Sequence, residues 1–132
     1  MRAYARGDNY EFTLRQGLAY LRVWSRPDLD REAGARLARE EVDHHRRLTQ
    51  LSRRTVQGLV FDLSEAPPAW GPATEAALME MVGFWELAQR KIGFVSHDPL
   101  QRVLLRQVVR AAAPNVGRIY QDRESAELWA KT

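Results

Sequence analysis

From Tyr10 the apolar positions first repeat every second residue: Tyr10, Phe12 and Leu14 alternate with Glu11, Thr13 and Arg15. Ala19, Leu21 and Val23 then alternate with Tyr20, Arg22 and Trp24. A period of two is that of a strand with one covered face, and Gly17 between the two runs predicts a hairpin that Pro27 ends. The period then lengthens. From about residue 30 to about residue 53, Ala33, Leu37, His44, Leu48 and Leu51 share one face of a long helix, with arginines and acids on the rest. Residues 56–63 are short, apolar and β-prone, and a helix over 72–90 follows, opened by Pro72 where a missing N–H costs nothing. Residues 92–95 form a fourth strand, and Asp98-Pro99 supplies an N-cap and first-turn proline for a helix over 100–112. Pro114-Asn115 breaks it, 116–120 is a fifth strand, and Asp122 caps a short helix ending near Trp129.

The resulting order is ββαβαβαβα, with residues 1–9 as a tail and 10–132 as one domain. Strands alternating with helices predict an α/β fold: a mostly parallel mixed sheet built through right-handed crossovers, with the hairpin as its antiparallel part. A chain of 132 residues is about one domain long and can bury one core without staples. No apolar run approaches the roughly 18 residues of a membrane span, and MRAYARGDNY has no signal-type apolar stretch. With no cysteine, a disulfide framework is excluded, and a cytoplasmic location is the expectation. The formal charge of +3 rests on 18 arginines and two lysines dispersed among 17 acids. That dispersion is unlike the dense basic stripe of a nucleic-acid surface, so nucleic acid is not an expected partner.

The strand-to-helix junction after residue 63 is where an α/β sheet places its sites, at the carboxyl edge of parallel strands. Here it contains Ser64, Pro67, Pro68, Trp70, Gly71, Pro72 and Thr74. A tryptophan held between two proline-bearing turns loses little entropy on contact and suits an anchor or a lid. In the helix that follows, Ala77, Leu78, Met81, Phe84, Trp85 and Ala88 form the face for the sheet. Met79 and Val82 then point away, beside Gly83 and flanked by Glu75, Glu86 and Arg90, as a small docking surface. On the long first helix, Ala35, Ala38, Val42 and Thr49 line the face opposite the core, which suits a second copy of the chain in a homodimer.

Other constellations carry less. Glu40 with His44 and Glu41 with His45 stand at i,i+4, but a metal needs three or four ligands and no third set is apparent, so no metal is assigned. His44 reads as a boundary histidine bonded to Glu40. Arg102, Arg106 and Arg110 form a solvated stripe. There is no Gly-rich phosphate loop, cysteine nucleophile or G-x-S-x-G elbow, and Asp62, Ser64 and His97 lack an oxyanion-hole signature. No catalytic residue and no cofactor is assigned, and the chain is read as a non-enzyme.

VFDLS at residues 60–64, IGFVSHDPLQRVL at 92–104 and IYQDRESAELW at 119–129, in this order and spacing, resemble the STAS domain, the fold of bacterial anti-sigma factor antagonists. The resemblance covers about residues 10–129. It implies a bacterial, regulatory, protein-docking module with an anti-sigma-factor-like or other regulatory partner. In that family an Asp-Ser-Ser-Gly-Leu loop carries the phosphoacceptor; here Trp70, Gly71, Pro72 and Ala73 occupy those places, and Thr74 is the nearest hydroxyl and possible phosphosite. The WGPATEAAL stretch at 70–78 is closer to the stage II sporulation protein AA-like branch, related to apolar-ligand carriers. Two functions are therefore expected: partner docking through Ser64, Pro68, Trp70, Gly71, Thr74, Met79 and Val82, or binding of an apolar small molecule or lipid in a pocket under Trp70.

Overall fold

The computed structural model describes residues 2–132. Six strands form one sheet in sequence order: β1 (Arg2–Gly7), β2 (Tyr10–Arg15), β3 (Leu18–Trp24), β4 (Gly58–Glu65), β5 (Lys91–Val95) and β6 (Gly117–Tyr120). The first three are antiparallel and the rest parallel. The expected hairpin and parallel crossovers are present. Residues 1–9, read above as a tail, instead contribute strand β1 from Arg2 onward, paired with β2 across an irregularity between Ala3 and Ala5.

Four helices complete the α/β fold: α1 (Arg31–Leu48), α2 (Pro72–Ala88), α3 (Pro99–Ala112) and α4 (Arg123–Lys131). Asp30, Asp98 and Asp122 cap α1, α3 and α4 by accepting the backbone N–H three residues on. Each cap satisfies a donor that the first helical turn leaves free. Helix α1 stops at Leu48, short of residue 53, and β4 begins at Gly58 rather than residue 56.

Helices α1, α2 and α3 cover one face of the sheet, packing Leu37, Leu48, Trp85 and Leu105 on Phe12, Leu21, Phe61 and Phe94. Strands that add in order through crossovers of one hand put all their helices on one side. Helix α4 covers the other face, where Ala126 and Ala130 meet Leu18, Tyr20, Val60 and Val95. The approach is close because Gly58 and Gly93 lie beneath it. A Cβ at Gly93 would sit 2.4 Å from the Ala126 carbonyl oxygen, and one at Gly58 2.3 Å from that of Ala130.

Three helical assignments are corrected by this packing. Helix α2 is the middle of a three-helix layer, so it is apolar on more than its sheet side, as a helix enclosed by neighbours must be. Val82 is therefore 0% exposed and Met79 packs against the core; neither forms the outward docking surface expected of them. Arg90, expected beside that surface, is buried. On α1 the buried stripe is Leu37, Glu41, His45 and Leu48, so the helix is rotated from the expected face. His44 is half-buried, and Glu40 accepts instead from the Tyr10 hydroxyl at 2.9 Å.

Candidate functional site: an apolar cleft under Trp70

Two loops leave the carboxyl ends of β3 and β4, and both are fixed by polar contacts. In the first, the Arg26 guanidinium donates to both Asp28 oxygens at 2.8 Å and to the Asp8 carbonyl at 3.1 Å. In the second, Gln101 of α3 donates through Nε2 to the carbonyls of Leu63 and Pro67, both at 3.1 Å, and accepts from the Ser96 hydroxyl at 2.6 Å. A buried glutamine bonded on both sides makes a firm bracket for a proline-bearing loop. The Asp62 carboxylate completes it by accepting from the Ser64 N–H at 2.9 Å and hydroxyl at 2.6 Å.

Between these loops, α1 and α2 leave a cleft of about 750 Å³. Its origin is in the sequence of the facing helices. The upper half of α1 presents Gly34, Ala35 and Ala38, and the upper half of α2 presents Ala73, Ala76 and Ala77. Lower down, Leu48, Val82, Trp85 and His45 are fully buried and fill the layer. Small side chains on both walls thus leave room only toward the loops, with Phe61 and Leu63 as floor and Trp24 and Trp70 at the mouth.

The polar atoms of this cleft are few and underused. The Trp70 Nε1–H and the Asn9 Oδ1 are buried without a hydrogen-bond partner among the described residues. Glu41 is 7% exposed, and burial, reinforced by Glu40, pushes its carboxyl up to about 8. A carboxyl held in apolar surroundings keeps its proton through neutral pH. One turn further, His45 is fully buried and held down to about 3 by burial and by His44. Its Nδ1 accepts from the Trp85 indole N–H at 2.9 Å, and because tryptophan only donates, the neutral ring carries its proton on Nε2.

The expected site residues divide between two places. Trp70 and Thr74 line the cleft, Trp70 half-buried and Thr74 exposed on the first turn of α2. Ser64 and Pro68 line a neighbouring groove of about 380 Å³ with His97, Asp98 and Gln101. Gly71 is the exposed N-cap of α2 and lies in neither. Ser64 and His97 thus come to one groove, but the Ser64 hydroxyl donates to Asp62, and no Ser64–His97 bond forms. No group of three His, Asp or Glu side chains placed to hold a metal occurs among the described residues.

The face of α1 assigned to a second copy has another use: Ala35, Ala38 and Val42 line the cleft. Asn9, Trp24 and Glu41 were missed. Glu41 had a usable signal, since 37, 41, 45 and 48 follow helical spacing and place an acid within an apolar stripe. Comparison with protein-family models, curated proteins and solved structures found no match, so function is read from the site itself.

Proposed function

We propose that this protein is a non-catalytic, STAS-like module that binds an apolar small molecule or lipid chain in the cleft under Trp70. The observation that carries the reading is a cleft of about 750 Å³, apolar over most of its wall and holding a few unpartnered polar atoms. Ligand sites have this size and this balance of apolar wall and sparse polar groups. Partner docking is a second reading, favoured by the Gln101 bracket, which presents exposed Pro68, Ala69, Gly71 and Thr74 on a rigid loop. Rigid surfaces lose less entropy on association. Thr74 at the start of α2 is the place where a phosphate would meet the helix N-terminus in such a switch.

Native mass spectra of the purified protein, before and after denaturation, test the first reading. A small molecule released on denaturation and lost from Trp70→Ala is the expected result. Bare chain from several expression hosts, with no apolar compound raising the melting temperature, would remove it. Under the second reading Trp70→Ala loses a protein partner while keeping the fold.

A further inference from the structure

We infer that the cleft receives a lipophilic amine, an apolar body carrying one positive charge, with the Glu41 carboxylate as its counter-ion. This rests on the ligand-binding reading above and names the chemistry of the ligand. Glu41 lines the cleft wall, nine-tenths buried, and no hydrogen bond or ion pair reaches its carboxyl from the described residues. The chain has 18 arginines, yet none forms an ion pair with this acid among the described residues. At the mouth, Arg26 is held in a fork by Asp28, and Arg31 and Arg39 are exposed.

A buried carboxyl without a partner is costly to ionise, and that cost is recovered only by a charge that enters the same apolar space. An anionic ligand would lose its hydration in an apolar space where the buried acid offers it no opposite charge. An alcohol would exchange one weak hydrogen bond and leave the acid protonated. An ammonium supplies both charge and donors, one of which suits the unpartnered Asn9 Oδ1, while the Trp70 ring at the mouth is an aromatic surface that attracts cations and the Trp24 ring already carries the Arg22 and Arg6 guanidiniums at 4.7 and 5.5 Å. The Trp70 N–H calls for an acceptor elsewhere on the body.

The other groups around Glu41 do not substitute for this role. Arg26, Asp30, Arg31 and Arg39 on the α1 side and Glu80 on α2 also line the cleft, but all are exposed and screened by water. Glu40 on the same helix is bonded to Tyr10 of β2, whose hydroxyl is pushed well above its ordinary value and stays protonated. His44 is held below its ordinary value by burial, and His45 is neutral. Glu41 is the one buried acid that an entering cation meets. Because its carboxyl titrates at about 8, binding at pH 7 expels its proton to solvent as the ammonium pairs with the carboxylate.

Calorimetric titration with octylamine, octanol and octanoate, each in two buffers of different ionisation enthalpy, tests this. Octylammonium is expected to bind about tenfold or more tightly than octanol, with octanoate weakest. Near pH 7 about one proton is released per amine bound, and amine affinity rises roughly tenfold from pH 6 to 7 before levelling above about 8. Glu41→Gln is expected to erase both the amine preference over octanol and the proton release. Equal binding of amine and alcohol, preference for octanoate, or amine binding without proton release would overturn the amine assignment while keeping the ligand-binding reading. Binding of none of the three would remove both.

Discussion

The two ends of the helical layer use their polar groups in opposite ways. At the amino ends of the parallel strands, loop carbonyls and N–H groups are met by side chains from other elements. Arg90 donates to the Val56 carbonyl at 2.8 Å and the Leu51 carbonyl at 2.6 Å, and Arg53 donates to the Ala88 carbonyl at 2.7 Å. Glu86 accepts from the backbone and side-chain nitrogens of Asn115 at 2.9 and 2.8 Å. At the carboxyl ends the loops are bracketed too, but inside the cleft the Trp70 Nε1–H and Asn9 Oδ1 have no partner and no cation pairs with the Glu41 carboxyl, whereas Arg90 at the closed end, though its Nε–H is left over, spends its other donors on loop carbonyls. Satisfied buried polar groups hold a fold together, whereas unsatisfied ones are a cost that a ligand can relieve. One end of the layer closes the fold, and the other is prepared to receive.

The sharpest way to break this contrast is Arg90→Met. It strands two loop carbonyls at the closed end, and urea unfolding is expected to show a loss of about 3 kcal/mol with octanol binding intact. At the receiving end, Glu41→Gln should act in the opposite direction. The folded carboxyl titrates at about 8 against an ordinary 4.5, so the native state keeps a proton that the unfolded chain has lost between those values. Stability of the parent protein therefore falls as pH rises from about 4.5 to about 8. The variant escapes that loss, gaining about 3 kcal/mol at pH 7 and nothing near pH 4 in paired urea titrations.

The two indoles sharpen the comparison further. Trp85→Phe removes the donor that His45 accepts and should cost about 1.5 kcal/mol in thermal or urea unfolding. Trp70→Phe removes an N–H that has no partner and should change stability by less than about 0.5 kcal/mol. Between these two in size stands the effect of His45, whose folded value of about 3 lies below its ordinary 6.5. Its contribution is complete above the unfolded value and is lost as pH falls toward 3. In the Glu41→Gln background, where the opposing carboxyl is gone, stability should drop by about 1 kcal/mol between pH 7 and pH 5.5.

What could be read from the sequence was what local chemistry decides. The hairpin follows from strict alternation across Gly17, and α3 and α4 begin where Asp98 and Asp122 cap them. Strand β1 was not visible because RAYARG has no clear alternation; it exists through pairing with β2. The rotation of α1 depends on bonds from His45 to Trp85 and from Glu40 to Tyr10, 40 and 30 residues apart in sequence, which no local period records. Trp70 and Thr74 were found because prolines mark their loop. Glu41 was not, because an acid among arginines on a helix ordinarily reads as a solvated residue.

Helix α2 carries a further consequence. Its stretch from Ala76 to Ala88 is apolar around most of its circumference, interrupted by Glu80 and Glu86, and it is quiet only because α1 and α3 stand on either side. Whenever those neighbours separate, Met81, Val82, Phe84 and Trp85 become an adhesive strip, with Leu87 already 86% exposed at its end. The two acids then act as gatekeepers against self-association. Glu86 thus has a second occupation beyond gripping Asn115: it keeps this apolar segment from finding its own kind.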